Sequence, residues 1–170
     1  YRLRNRTTSA DLDDVLNLVD AAIARDPSFA RAHSLRALAL LLRPSWQQGQ
    51  AAFEAQRSNK PAGQETGERE ANWSEALVSA NRALELDPGL GEPYAVRALH
   101  AQAHNLYADA YRNFREAVAR APSDPEIHNW YGGFLLDTGY LQAGWAERQR
   151  AGELDPLSPL IAWHLGYAAL

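Results

Sequence analysis

The sequence predicts an all-α fold, a solenoid of antiparallel helix pairs in which each pair packs on its neighbours. Pro88, Pro122 and Pro156 stand 34 residues apart, and a period of this length is typical of helical repeat arrays. Two of these prolines close nearly the same run, Ala-Leu-Glu-Leu-Asp-Pro and Ala-Gly-Glu-Leu-Asp-Pro. A further copy ends at Pro27, which precedes Pro88 by one period and an insertion of 27 residues.

This period divides the chain into one continuous array. We predict a partial repeat over 1–27, a repeat over 28–88 with an insertion at about 44–71, repeats over 89–122 and 123–156, and a truncated repeat over 157–170. The sequence contains no methionine, and it stops within the first helix of a pair. We therefore expect a fragment of a longer protein.

Each helix is predicted from apolar spacing and from its stop signals. Ser9 is a plausible N-cap for a helix over 10–25, in which Leu12, Val15 and Val19 recur at three- and four-residue spacing. Proline ends each second helix because it lacks a backbone N–H and restricts the residue before it. The other helices are predicted over 29–43, 72–86, 92–104, 107–120, 125–137, 141–154 and 158–170.

The insertion at about 44–71 is polar and rich in proline and glycine. Its first part, 46–57, has the spacing of a short amphipathic helix that would pack Trp46 and Phe53. Its second part, 58–70, has almost no apolar residues, so a mobile loop is expected there. Such a segment is either a tolerated surface insertion or a gate over a ligand.

Small residues recur at fixed places within the period. With Pro122 counted as position 32, positions 8, 20 and 27 hold Ala98, Ala110 and Ala117 in one copy and Gly132, Gly144 and Ala151 in the next, while Phe114 stands at 24. Small residues let two helices approach closely, and an aromatic fills the space between pairs. Except for 44–71, this pattern resembles the tetratricopeptide repeat (TPR) family. The resemblance implies a right-handed superhelix that binds proteins or peptides and is not an enzyme.

Two short stretches carry a narrower resemblance. His-Asn-Trp-Tyr over 128–131 and Glu-Leu-Asp-Pro-Leu-Ser-Pro over 153–159 are similar to the C-terminal TPR regions of bacterial regulators with winged-helix or adenylate-cyclase-type domains. In those proteins the repeat region senses signals or binds partners. The alternative is an accessory docking or oligomerisation region of a multidomain enzyme, a transferase or a cyclase.

The TPR resemblance also implies where a peptide would bind. In TPR proteins the first helix of each pair lines a groove through positions 2, 5, 9, 12 and 13. The candidate groove residues are Phe29, Arg36, Leu40, Leu99, Gln102, Asn129, Leu136, Trp163 and Tyr167. The lysines that hold an acidic C-terminal tail in chaperone-binding TPR proteins are missing, so an apolar or mixed peptide is expected. The alternative is that some of these aromatics only pack between repeats.

Composition argues against several other classes. A net charge of −4 leaves no basic footprint for nucleic acid, and the longest apolar run, 37–42, is too short to insert across a membrane. Cysteine is absent, which excludes disulfides but leaves the compartment open. His100 and His104 have a metal-compatible spacing without a third ligand at a matching helical position, although Asp109 could approach. No catalytic residue, cofactor or metal is therefore predicted.

The last predicted helix has no partner helix after it. Leu160, Ile161, Leu165, Ala168 and Leu170 would form an exposed apolar strip, because a repeat buries its apolar face only against a neighbour. Exposed apolar strips usually mark a contact. We therefore expect self-association through this C-terminal helix.

Overall fold

The computed structural model describes residues 9–43 and 66–168, and within that part of the chain the regular structure is entirely helical. The helices are α1 (Ser9–Arg25), α2 (30–43), α3 (Thr66–Leu86), α4 (Glu92–Ala103), α5 (Tyr107–Arg120), α6 (Pro125–Asp137), α7 (Leu141–Leu154) and α8 (Pro159–Ala168). The predicted all-α class is confirmed. The predicted helix ends lie within two residues of these bounds except at the start of α3.

Helix α3 begins at Thr66 and not at residue 72, so the predicted mobile loop is wrong for residues 66–70. Acidic residues are favoured in a first helical turn, and the sequence has Glu68 there. The Arg69 guanidinium also lies 5.1 Å from the ring centroid of Trp73, one turn later. The rest of the insertion, including the predicted helix over 46–57, lies outside the described residues.

The prolines stop the second helix of each pair at the same place. Helices α1, α3, α5 and α7 all end two residues before a proline of the repeat. In the turns that follow, an aspartate Oδ1 accepts the backbone N–H two residues later, at 2.9 Å, in the pairs Asp26–Ser28, Asp87–Gly89 and Asp124–Glu126. The Asp124 carboxylate also accepts from Ile127 and so caps α6.

The turns inside the last two helix pairs are also equivalent. Asn105 and Gly139 stand one period apart, and both have positive φ, 59° and 87°. The next residue in each turn donates its N–H five residues back, Leu106 to Ala101 at 2.9 Å and Tyr140 to Leu135 at 2.8 Å. This bond pattern satisfies the last carbonyls of the first helix and favours glycine or asparagine at the turn.

The chain forms two compact units, residues 1–96 and 97–170, and the boundary falls within α4. The described part of unit 1 has a core of apolar residues from α1, α2 and α3. Leu12, Ala37, Ala76, Ala80 and Ala83 are fully buried within it. The three alanines share one side of α3, so the helix can lie close against its neighbours.

The core of unit 2 is centred on Phe114, which has no exposed surface. Its ring centroid lies 5.5 Å from that of Tyr131 and 5.3 Å from that of Phe134, so the side chain of α5 fills the space against α6. Ala98, Ala101, Ala110 and Leu135 complete this cluster. The aromatic at position 24 therefore packs as the repeat pattern predicts.

Helices α6 and α7 touch through two glycines. A Cβ added to Gly144 would lie 2.8 Å from the carbonyl oxygen of Gly132, and one added to Gly132 would lie 2.9 Å from the carbonyl oxygen of Gly144. Ordinary carbon contacts are about 3.5–4.0 Å, so no side chain fits at either position without movement. Close helix approach explains why small residues occupy positions 8 and 20.

Candidate functional site

The first helices of successive pairs are joined by polar contacts in unit 2. We call their surface, formed by α4 from residue 97, α6 and α8, the A-helix face. His164 Nδ1 on α8 donates to Asn129 Oδ1 on α6 at 3.0 Å. Gln102 Nε2 on α4 donates to Asp137 Oδ2 on α6 at 3.4 Å. Predicted groove residues therefore hold neighbouring first helices together.

The structure distributes the remaining unit 2 candidates between core and surface. Trp163 is 62% exposed, and its ring centroid lies 5.1 Å from that of His164. Asn129 is only 3% exposed, Leu99 packs on the Phe114 cluster, and Leu136 is half-buried against Gly144. The side chain of Tyr167 lies outside the described residues. Trp163 is thus the candidate with most surface available to a ligand.

The groove assignment in α2 needs a correction. Nε2 of His33 lies 3.0 Å from the Pro27 carbonyl oxygen, and Nε2 of His128 lies 2.9 Å from the Pro122 carbonyl oxygen. Each histidine stands six residues after its proline, so this shared contact fixes the register of the first repeat. In that register the predicted set Phe29, Arg36 and Leu40 is two residues out of phase, and Arg31, Ser34, Leu38, Leu41 and Leu42 take the groove positions.

A two-residue shift turns a side chain about 200° around a helix, because one residue turns it about 100°. Leu40 is 4% exposed and belongs to the core, but Ser34, Leu38 and Leu41 at the corrected positions are buried as well, so the first helix of unit 1 offers little free surface there. The corrected register places Arg31 on α2 and Glu92 on α4 at the same repeat position. Their side chains form an ion pair at 3.1 Å, as neighbouring first helices would.

Arg36 serves the packing of unit 1 and does not face a groove. Its guanidinium reaches Asp20 of α1 at 2.8 Å, and Ser79 and Glu75 of α3 at 2.8 and 3.1 Å. Three partners from two helices use the fork of donors that arginine provides. One side chain of α2 therefore ties both second helices of the unit to it.

His128 plays a similar structural part in unit 2. The buried imidazole faces two acceptors, the Glu147 carboxylate at 2.6 Å and the Pro122 carbonyl oxygen at 2.9 Å. A neutral imidazole has one N–H, so only the imidazolium donates to both. The hydrogen bond to Glu147 raises the pKa of His128, although burial opposes the shift. When protonated, the ring links α6 to α7 and to the turn before α6.

The pKa of His164 is shifted in the opposite direction, downward. Burial lowers its pKa, and the neighbouring positive charge of Arg148 lowers the pKa further. The imidazole is therefore neutral near pH 7 and donates its Nδ1 proton to Asn129. On α4 the His100 and His104 rings stack, with centroids 4.2 Å apart, as their one-turn spacing allows.

Arg148 is a residue of this region that the sequence prediction missed. Its Nε is buried and makes no hydrogen bond. Position 24 of its repeat is where Phe114 stands one period earlier, so the repeat itself contained the signal: an arginine at an aromatic position. Burial lowers the pKa of Arg148, and the Asp137 carboxylate opposes that shift.

The predicted apolar strip on α8 is divided by the fold. Ile161 is 3% exposed, and a methyl of Leu165 lies 2.7 Å from where a Cβ of Gly152 would be, so both residues face their own unit. Their inclusion in an exposed strip was wrong. Leu160 stays exposed, and the side chains of Ala168 and Leu170 lie outside the described residues.

An open pocket of about 560 Å³ lies between α7 and α8. It is lined by Trp145, Gln149, Gly152, Glu153, Asp155, Pro156, Ile161, Ala162 and Leu165.

Among residues 9–43 and 66–168, no helix combines the length and the apolar character needed to span a bilayer.

The fold matches solved structures of TPR proteins. TTC0263, a thermophilic TPR protein of Thermus thermophilus, superposes with a TM-score of 0.64 at 18% identity, over 91% of this chain and 71% of that one. The MamA RS-1 ArsTM double mutant gives 0.54 at 16% identity, over 94% and 74%. The first TPR of Spaghetti (RPAP3), bound to the HSP90 peptide SRMEEVD, gives 0.51 at 17% identity, over 80% and 92%. No protein-family model matches the sequence, and no curated protein does. The chain has a TPR fold, as the proline period predicted.

Proposed function

We propose that this chain is a non-catalytic protein- or peptide-binding module of a larger regulatory or signalling protein. The observation that carries the proposal is the exposed indole of Trp163 on the A-helix face, beside a polar pair whose hydrogen bond joins α6 to α8. Large aromatic side chains are the commonest anchors of protein interfaces. The likeness to a TPR structure that holds a peptide supports the same use of the fold here.

The surroundings of Trp163 favour a mixed peptide with an apolar anchor. Asn129 is buried and already accepts a hydrogen bond from His164, so it positions α8 and leaves the ligand contact to its neighbours. Gln102 and Asp137 add polar groups at the other end of α6. A ligand that places one apolar side chain on the indole and backbone groups near these polar side chains would use the whole A-helix face.

Selection of a random peptide library on the purified chain tests this function. Trp163→Ala should lower the affinity for a selected peptide by about tenfold or more, because interface tryptophans commonly contribute over about 1 kcal/mol to the binding free energy. Tyr107→Ala is the matched control, since Tyr107 is a half-exposed aromatic on the second helix α5. Binders that lose equal affinity in both variants, or a library that yields none, would contradict a peptide site on this face.

The regulatory context has its own test. A winged-helix or cyclase domain before the array in the parent protein would support the regulator. A transferase domain after it would support the accessory region of a multidomain enzyme.

The pocket between α7 and α8 favours a second role, self-association. Trp145 lines it, and Leu157 and Leu160, which are adjacent in sequence to the lining residues Pro156 and Ile161, are exposed. Burial of these apolar groups against a second copy would stabilise a dimer. Leu160→Glu should then shift sedimentation toward monomer while α-helical content is unchanged. A wild-type chain that sediments as a monomer at high concentration would exclude this role.

A further inference from the structure

Arg148 occupies a place that the repeat pattern gives to a buried aromatic. It stands 34 residues after Phe114, whose ring is fully buried between α5 and α6. A guanidinium in the same place carries a charge that is costly to remove from water without a partner. The Arg148 guanidinium therefore needs an acceptor for its hydrogen bonds.

Two glycines of α6 leave a channel for this side chain. A Cβ on Gly132 would lie 2.7 Å from Cγ of Arg148, and a Cβ on Gly133 would lie 3.0 Å from its Nη2. The equivalent residues of α4 are larger, Ala98 and Leu99. Arg148 therefore runs from α7 across the glycines, and its guanidinium reaches groove position 9 of α6.

Among the described residues no hydrogen bond or ion pair to the guanidinium is found. Its Nε is buried without an acceptor. Asp137 attracts it from one turn beyond Gly133, but the Asp137 carboxylate accepts from Gln102. The nearby His164 has a lowered pKa, so it is neutral near pH 7 and adds no charge. As far as the described residues go, the charged N–H donors of Arg148 thus lack an acceptor on the A-helix face.

We propose that Arg148 binds a single carboxylate of the peptide ligand, an aspartate or glutamate side chain, on the A-helix face of unit 2. Arginine suits this role because its planar fork of N–H donors matches the two oxygens of a carboxylate. The charge-assisted hydrogen bonds between them are stronger when the pair is partly removed from water. Asp137 on the same side of α6 repels a dianionic phosphate more than a carboxylate. The Arg148 charge acts on His164, and Trp163 is the residue before His164. A ligand that contacts both Arg148 and Trp163 would therefore carry an acidic residue close to an apolar one. This specificity rests on the proposed peptide function.

The binding point can be tested without a known peptide. N-acetyl-glutamate amide is titrated into the labelled chain, and the Nε–Hε resonance of Arg148 is followed by NMR, with the uncharged glutamine analogue as the paired probe. The glutamate probe should shift the Arg148 resonance in a saturable way at roughly millimolar concentration, and the glutamine probe should not. Absence of a saturable shift with the glutamate probe would overturn the proposal.

Variants separate a specific site from general charge. Gly133→Ala displaces Nη2 without removing the charge, and it should weaken the probe by about tenfold, as expected for a lost charge-assisted hydrogen bond. Asp137→Asn should tighten it several-fold, because a competing carboxylate is removed. Arg112→Gln, at an exposed arginine of α5, is the control and should change nothing. Equal binding by wild type and Gly133→Ala, or weaker binding by Asp137→Asn, would argue against Arg148 as the site.

The peptide library separates this inference from the proposed function. Peptides selected by wild type should carry Asp or Glu at one fixed position, and those selected by Arg148→Gln should lack that preference while still requiring Trp163. Circular dichroism establishes that this variant is folded. Binders that require Trp163 and show no acidic preference would refute the Arg148 site and leave the peptide function standing.

Discussion

Alanine replacements at four helical glycines should stabilise or destabilise the fold according to which atoms each new methyl group contacts. At Gly144 the added Cβ would lie 2.8 Å from the Gly132 carbonyl oxygen and 2.9 Å from the Leu136 backbone nitrogen, atoms that cannot rotate away. At Gly152 it would meet only a methyl of Leu165, at 2.7 Å, which can move. At Gly166 it would meet nothing within 4 Å.

Helix propensity favours alanine over glycine by about 1 kcal/mol at each site. Gly166→Ala should keep this gain. Gly144→Ala and Gly132→Ala must also separate α6 from α7, which costs about 1–3 kcal/mol as overpacking does in cores. The 144 and 166 variants should therefore differ by that cost, or about 2–4 °C in melting temperature per kcal/mol for a chain of this size.

Thermal and urea unfolding followed by circular dichroism at 222 nm measures this difference. The expected order of stability is Gly166→Ala above wild type, Gly152→Ala near it, and Gly132→Ala and Gly144→Ala below it. If Gly144→Ala is as stable as Gly166→Ala, the close approach of α6 and α7 is not what requires glycine there.

Substitutions at the Phe114 cluster, the Gly139 turn and the His128–Glu147 bond should also change stability. Phe114→Ala should lower the free energy of unfolding by about 3–5 kcal/mol through the cavity it leaves, whereas Tyr111→Ala, at a more exposed ring, should cost far less in the same melts. Gly139→Ala should destabilise by about 1 kcal/mol because its φ is positive, and Asn105→Gly, at the equivalent turn, should be neutral or stabilising. The raised pKa of His128 means that its bond to Glu147 stabilises fully below the usual histidine pKa of 6.5 and less as pH rises through the raised value. The stability lost in Glu147→Gln, measured by urea unfolding, should therefore be larger at about pH 5.5 than at about pH 8.5, and a pH-independent loss would show that the protonated ring is not the partner.

The repeat period predicted most of the fold because it depends on rules that act locally. A proline stops a helix wherever it stands, and a positive-φ turn selects glycine or asparagine, so Pro122 and Gly139 mark their boundaries in the sequence itself. The start of α3 was missed for the opposite reason. Polar composition suggests a loop, yet residues 66–70 also have the charges and spacing of a first helical turn.

The groove was harder to predict because the identity of a face depends on register. In α2 a shift of two residues sufficed to select Phe29 in place of Arg31 and Arg36 in place of Leu38, although Pro27 aligns this repeat with the later ones. The shared histidine contact to a proline carbonyl agrees with the register that Pro27 sets. Arg148 was missed because its importance lies in what surrounds it, two glycines on another helix and no partner for its buried Nε.

The hydrogen bonds of Arg36 between α2 and α3 have a consequence for how the chain tolerates an insertion. Its bonds to Ser79 and Glu75 join two helices that are separated in sequence by residues 44–65. Contacts of this kind keep the two helices packed when the chain between them is lengthened, since the entropy of closing a loop grows slowly with its length. The segment between α2 and α3 is thus a natural position for an inserted reporter.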